Sequence, residues 1–305
     1  MVDPAGGGVA GHHHLAAADP VVALALFLSF GVNRRMDSVN HRRGGAQTCL
    51  CCSKPFGINR RAVLGFAAAA MGFVSPAHAT GEHPTGEHPT GEHPVEPVLT
   101  LPADQSAAPR VALTLDACSG GFDGQLLQAL IDRNVPATIF VTGIWLARNP
   151  QALAQIMAHP RLFRFGNHGA RHQAMVLGDR LVYGQKTVGT VEAARQEVME
   201  GGRLIEQATG VRPQWFRGAT ALYSPSLLPM IGTWGYRVAG FSLNGDAGAS
   251  LPAQGVAARI GRARAGDVII AHINQPHRTS GAGVIAAVKR LVDQGFTFTT
   301  LDAGV

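Results

Sequence analysis

Seven apolar runs alternating with six helix-like stretches predict an α/β fold, a distorted (β/α)7 barrel, for this chain of 305 residues. Three observations carry the prediction. The runs are short and often β-branched, as fully buried parallel strands are. Helical periodicity fills nearly every interval between them. The alternating region, residues 110–305, has the length of one closed or nearly closed barrel, so a single domain is expected there.

The expected strands, in order, are VALTLDA (111–117), ATIFVTG (137–143), LFRFGNHG (162–169), QWFRGAT (214–220), YRVAGFSL (236–243), DVIIAHI (267–273) and FTFTTLD (296–302). Between them, helices are expected in QLLQALIDRN, NPQALAQIMA, TVEAARQEVMEGGRLIEQATG, SPSLLPMIGTWG, PAQGVAARIGRARA and GAGVIAAVKRLVDQG. Asp123 and Ser224 stand where helix N-caps belong, and Gly210, Gly235 and Gly295 where helices stop. Seventeen residues after His172, QAMVLGDRLVYGQKTVG (173–189), break the alternation and read as a surface loop or a wall beside the barrel mouth.

The first hundred residues are of a different kind. INRRAVLGFAAAAMGFVSPAHAT has the order of an export signal: the Arg60–Arg61 pair, a mild apolar run to Val74, and small residues at Ala77-His78-Ala79. That run is too short to span a bilayer core of about 30 Å. Residues 1–79 are therefore assigned to a twin-arginine leader, with Met36 as an alternative start, and the mature chain is expected in the periplasm or outside the cell, with no membrane span. Three TGEHP repeats follow, and residues 80–109 read as an extended linker; His83, His88 and His93 fall in it. The basic excess is concentrated at the front. Residues 1–79 carry seven Lys/Arg against three Asp/Glu, and the remainder nineteen against seventeen. No aromatic-interleaved basic stripe occurs, so nucleic acid is not an expected partner. Cys49, Cys51 and Cys52 cluster in the leader without a second Cys or His pair at zinc-finger spacing.

Barrel chemistry collects at the C-terminal strand ends, where Asp116, His168, Arg217, Asp246 and His272 lie at or just beyond the runs. His168 and His172, four residues apart on a short turn, suit one metal ion. A carboxylate (Asp116) and a lone histidine (His272) at neighbouring strand ends suit a base and an acid. Cys118 lies in the same turn as Asp116 and reads either as a small packed residue or as a thiolate nucleophile beside a histidine.

These residues resemble the motifs of the polysaccharide deacetylase family, carbohydrate esterases that include chitooligosaccharide and peptidoglycan N-deacetylases. Thr114-Leu115-Asp116-Ala117 is similar to the family's Thr-Phe-Asp-Asp. His168-Gly169-Ala170-Arg171-His172 matches its histidine block. Phe216-Arg217 matches its aromatic–arginine step, although Gly218-Ala219 replaces the usual proline-containing sequence. Ile270-Ala271-His272 matches its last motif, and PATIFVTG (136–143) its second strand. The resemblance implies metal-assisted hydrolysis of an acetyl group on a glycan, with a divalent ion, zinc being expected, on His168 and His172. Asp116 would be the base, Arg217 its orienting partner, His272 the acid and Asp246 the partner of His272.

One position departs from the pattern. The family's second aspartate, its third ligand, is Ala117 here, and a methyl group binds no metal. Another carboxylate serves (Asp123 is nearest in sequence), or the ion is held loosely, or the reaction runs without it. Asp123 also suits a helix N-cap. Tyr183, in the 173–189 insertion, is the expected stacking platform for a sugar. The leading expectation is an exported, metal-dependent deacetylase of an acetylated polysaccharide. Two alternatives share the fold: a metal-independent cyclic amide or imide hydrolase, and a glycan-binding module without turnover.

Overall fold

In a computed structural model of the chain, the described residues are 92–103 and 108–304. The leader at 1–79, with Met36, the Arg60–Arg61 pair and the cysteine cluster, lies outside them, as do linker residues 80–91. In chain order the elements are β1 (Arg110–Ala117), α1 (Gly124–Asp132), β2 (Ala137–Val141), α2 (Gly143–Arg148), α3 (Pro150–Met157), β3 (Phe163–Asn167), β4 (Ala174–Leu177), β5 (Leu181–Val182), β6 (Gln185–Gly189) and α4 (Val191–Thr209). There follow β7 (Trp215–Phe216), β8 (Ala219–Tyr223), α5 (Leu227–Thr233), β9 (Arg237–Val238), β10 (Leu243–Asn244), α6 (Ala253–Ile260), β11 (Val268–His272), α7 (Ser280–Asp293), β12 (Thr297–Thr299) and α8 (Leu301–Gly304).

The main sheet runs β10-β11-β1-β2-β3-β7-β9, with β12 also paired to β1, and every pairing in it is parallel. This is the expected curled (β/α) sheet. Its closure differs from a simple barrel. The run YRVAGFSL, expected as one strand, splits into β9 at one edge of the sheet and β10 at the other. The amide of Ala239 donates to the Phe216 carbonyl on one side (2.8 Å), and that of Ser242 to the Val268 carbonyl on the other (3.0 Å). Four residues, 239–242, thus join the two edges; four extended residues span at most about 14 Å. The sheet must curl until its edges nearly meet.

Residues 95–101, expected within the linker, lie against this gap. Val95 exchanges two backbone hydrogen bonds with Tyr223 (2.8 and 2.9 Å), the Phe241 amide donates to the Pro97 carbonyl (3.3 Å), and that of Leu101 to the Gly266 carbonyl (2.8 Å). Leu101 is buried, so the strap is part of the core.

Strand alternation divides the interior. Val111, Leu113, Leu115 and Ala117 of β1 join one apolar cluster with Leu126, Leu130, Val256 and Val284 of the flanking helices. Ala112, on the other parity, packs with Phe140, Val268 and Ile270. Thr114 and Asp116 continue that second face, which leads to the strand ends. Burying each large aliphatic side chain stabilises by about 1.5–3 kcal/mol, so both faces of β1 resist substitution.

Local chemistry explains most boundaries. Asp123 Oδ1 accepts from the Leu126 amide (3.0 Å) and starts α1. Thr190 caps α4 through the Ala193 amide (3.1 Å), and Gly210 ends it in the left-handed region at φ +75°. Gly235 and Gly295 follow α5 and α7 with φ +86° and +84°, as their positions predict. Ser224 is not the cap of α5: its buried hydroxyl accepts from the Leu177 amide (3.0 Å), and Ser226 takes the N-cap position. Gly143 opens α2 instead of ending a strand, and Leu301 opens α8 where FTFTTLD was expected to continue extended. The 173–189 insertion is not plain loop. Its strands β4, β5 and β6 join β8 in a second, four-stranded sheet. No helix among the described residues is long and apolar enough to cross a membrane.

Candidate active site

Parallel register brings the acid and base candidates together. Asp116 and His272 are Cα partners on adjacent strands, so their side chains share a face about 4.8 Å apart along the hydrogen-bonding direction. Asp116 is also the partner of Phe140 on β2, and Phe140 of Gly166 on β3. Gly166 is required here, because any Cβ would run into the Phe140 ring. That ring supports Arg217, whose guanidinium carbon lies 4.4 Å from its centroid.

Arg217 is fully buried and its donors are well used. Nη1 donates to Asp116 Oδ1 (2.8 Å) and Thr114 Oγ1 (2.9 Å), while Nε and Nη2 donate to the Ala239 and Gly240 carbonyls (3.1 Å each). Burial pushes the Asp116 pKa up, but the charges of Arg217, His168 and His272, with the Arg217 hydrogen bond, outweigh it and leave the carboxyl below its ordinary range. The arrangement fixes one carboxylate oxygen and leaves Oδ2 toward the cavity, 3.8 Å from His168 Nε2.

His272 is oriented from behind by the fully buried Asp246. Its Nδ1 lies 3.0 and 3.1 Å from the two carboxylate oxygens, and its backbone amide donates to Oδ2 (2.8 Å). With Nδ1 engaged, Nε2 is the atom offered to the cavity.

His168 follows the end of β3, and the turn to His172 is held by groups that sequence reasoning missed. Gly169 and His172 both have positive φ, +86° and +62°. The fully buried Glu197 of α4 accepts from the Arg171 amide (2.8 Å) and the Gln173 amide (3.2 Å) through Oε1, and its own carbonyl accepts from Ala170 (3.1 Å). A Cβ at residue 169 would meet that carboxylate, so glycine is needed for space as well as for φ. Burial raises the Glu197 pKa, against the lowering effect of those amides and of Arg171. The signal was available: Glu197 sits on the stripe Ala194, Glu197, Val198, Gly201, Ile205, where a carboxylate would otherwise be out of place.

Each histidine has an oxygen at Nδ1. His168 Nδ1 lies 2.6 Å from the Arg217 carbonyl, and His172 Nδ1 lies 3.0 Å from Gln185 Oε1. Burial lowers the His168 pKa to about 4, against the pull of Asp116, so the ring is neutral near pH 7. The two imidazoles, 4.9 Å apart by ring centroid, are a donor pair that fits a divalent metal.

Asp123, expected as a third ligand, does not converge with them; its carboxylate is taken up capping α1. Ala117 is buried in the helix-facing apolar cluster. Instead Cys118 comes to the pair, with Sγ 3.5 Å from His168 Nε2. Cys118, His168 and His172 form the one group among the described residues whose ligand atoms all lie within 4.8 Å of each other. The reading of Cys118 as a merely packed residue missed this. The clue was parity, since residue 118 continues the face of Asp116.

Asp116, Cys118, His168, His172 and His272 line a single cavity of about 270 Å³. Tyr183 stands at its wall, half exposed, on the hairpin between β5 and β6, and Glu96 of the strap also reaches it. Arg217 and Asp246 act from the layer behind.

Residues 103–239 match the family model described as polysaccharide deacetylase. No curated protein sequence matches the chain significantly. Among solved structures, a deacetylase with substrate is 26% identical, over 66% of this chain and 92% of that one, with a TM-score of 0.52. A family 4 carbohydrate esterase from Streptomyces lividans, in complex with acetate, is 21% identical over 63% of this chain and 93% of that one, with a TM-score of 0.53. A family 4 pseudoenzyme from Bacillus anthracis is 18% identical with a TM-score of 0.54; 65% of each chain is covered. His272 and Asp246 lie beyond the span of the family model. Within that span lie Asp116, the histidine pair and Arg217, and it is there that the chain is similar to the polysaccharide deacetylases.

Proposed function

We propose that the chain is an exported, metal-dependent hydrolase that removes N-acetyl (or O-acetyl) groups from a polysaccharide. The observation that carries this reading is the convergence in one cavity of an arginine-fixed carboxylate, an aspartate-backed histidine and a pair of metal-competent histidines. His168 and His172 would hold a divalent ion, zinc in this reading, which would supply Lewis acidity to the acyl carbonyl. Asp116 takes the proton of the attacking water through Oδ2, its other oxygen being fixed by Arg217. His272 delivers a proton from Nε2 to the departing amine or hydroxyl, and Asp246 holds the ring at the required angle. Tyr183 offers a ring for a sugar at the cavity wall. The Arg60–Arg61 pair and the Ala77-His78-Ala79 site support delivery to the periplasm or beyond, where such polymers are found.

Acetate release from N-acetylglucosamine oligomers, measured with and without a chelator, tests the reading. Activity lost to chelator and regained with zinc is expected. Chelator-insensitive hydrolysis would remove the metal from the mechanism and favour a cyclic amide or imide substrate. A second reading, a glycan-binding module, draws on Ala117, which removes the family's usual carboxylate ligand; oligosaccharide affinity without any turnover of the metal-loaded protein would establish it.

A further inference from the structure

We propose that Cys118 is the third metal ligand of this site, a thiolate standing in for the carboxylate missing at Ala117. The inference rests on the metal-dependent reading above. It comes from the geometry of three donors. Around a tetrahedral zinc, with Zn–N near 2.0–2.1 Å and Zn–S near 2.3 Å, the nitrogen–sulfur edge is about 3.6 Å. The observed separation of Cys118 Sγ and His168 Nε2 is 3.5 Å. His172 completes a triangle with no edge above 4.8 Å.

The surroundings are those of a built site. Cys118, His168 and His172 are 1%, 2% and 5% exposed. Each imidazole is oriented through Nδ1 by an oxygen, as ligating histidines usually are. Thr142 donates its hydroxyl to the Cys118 carbonyl and so ties the cysteine's turn to the start of α2. Asp116 stays outside the trio, its Oδ1 held by Arg217, and keeps its role as base.

The exchange is chemically balanced. The thiol gives up its proton to solvent on ligation, so one anionic ligand replaces another and the net charge at the ion is that of an Asp-His-His set. Three protein ligands restore the number usual for catalytic zinc, with a position left open. A sulfur ligand also changes selectivity. It favours zinc and cobalt, and disfavours the hard ions magnesium, calcium and manganese.

Cobalt(II) is the test, because a cobalt–thiolate bond absorbs in the near ultraviolet and an all-nitrogen and oxygen site does not. The full chain loaded with one cobalt per molecule should show this band, and Cys118→Ser should lose it. Folding of the variant is checked by circular dichroism. Cys118→Asp should regain cobalt affinity without the band. In Cys118→Ala, zinc affinity should fall by more than the roughly 10–100-fold typical of losing an outer partner. Stoichiometric cobalt without the band in the wild type would overturn the assignment. So would a band of unchanged strength in Cys118→Ser, which would point to Cys49, Cys51 or Cys52. Zinc affinity unchanged in Cys118→Ala, with activity abolished, would also overturn it in favour of a cysteine nucleophile. The band carries no information about acetyl transfer, so failure to release acetate would leave the ligand assignment standing and sink only the deacetylase reading.

Discussion

Replacing Glu197 by alanine should loosen the turn that presents both histidines, and the size of the effect follows from its bonds. Oε1 accepts from two backbone amides, those of Arg171 and Gln173, in a place with no solvent exposure at Glu197 itself. Each buried donor stripped of its acceptor costs about 1–3 kcal/mol. The 3.4 Å pair with Arg171 adds little, since the arginine side chain is 53% exposed and such pairs contribute about 0–1 kcal/mol. The expected loss is roughly 2–6 kcal/mol, or a fall in Tm of about 5–20 °C for a domain of this size. Glutamine at this position keeps a carbonyl oxygen for the two amides and should lose only about 1–2 kcal/mol. Thermal and urea unfolding followed by circular dichroism would measure stability, and competition with a chromophoric chelator would measure zinc affinity. An alanine variant with unchanged midpoint and unchanged affinity would refute the account. A glutamine variant as damaged as alanine would show that charge, and not hydrogen-bond acceptance, holds the turn.

The same residue has a pH signature. Burial raises the Glu197 pKa in the fold, so the folded state holds that proton more tightly than the unfolded state. Its contribution is then fullest below the ordinary value of 4.5 and is lost as pH rises through the raised value. Stability of the wild type relative to Glu197→Gln should therefore increase on acidification across that window, and a pH-independent difference in urea midpoints would contradict the shift. Asp116→Asn should reduce turnover by about 10²–10⁴-fold while retaining stoichiometric zinc; near-normal turnover would remove Asp116 from the role of base. The same substitution leaves the Arg217 charge buried without its partner, so a destabilisation of about 3–5 kcal/mol is expected by denaturant titration. Asp246→Asn removes the carboxylate behind His272 and should lower kcat far more than it raises KM; an effect on KM alone would assign Asp246 to substrate binding.

The parallel sheet was legible in the sequence because β1, β2 and β11 are short apolar runs buried on both faces, and such runs are hard to read otherwise. YRVAGFSL was misread as one strand because hydrophobicity does not record which neighbour a residue bonds. Ala239 and Ser242 look alike in pattern yet pair with opposite edges. The second sheet was hidden for a related reason: β5 has two residues, and β4 and β6 are joined through a register shift. For the site, Asp116, the histidine pair, Arg217, Asp246 and His272 each follow from type and place at a strand end. Glu197 and Gln185 act across the fold, and nothing local marks Gln185 as the partner of His172. Asp123 was legible as a cap, and its Oδ1 does cap α1.

Arg217 has one further consequence. Its guanidinium spans from Asp116 to the carbonyls of Ala239 and Gly240, the residues that draw the two sheet edges together. The ionisation of Asp116 and the closure of the sheet therefore share one cation, and any coupling between them is reciprocal. A proton on Asp116 would remove one of the two charges that meet at this junction. The fold thus reads the charge state of its own active site at the line where it is least continuous.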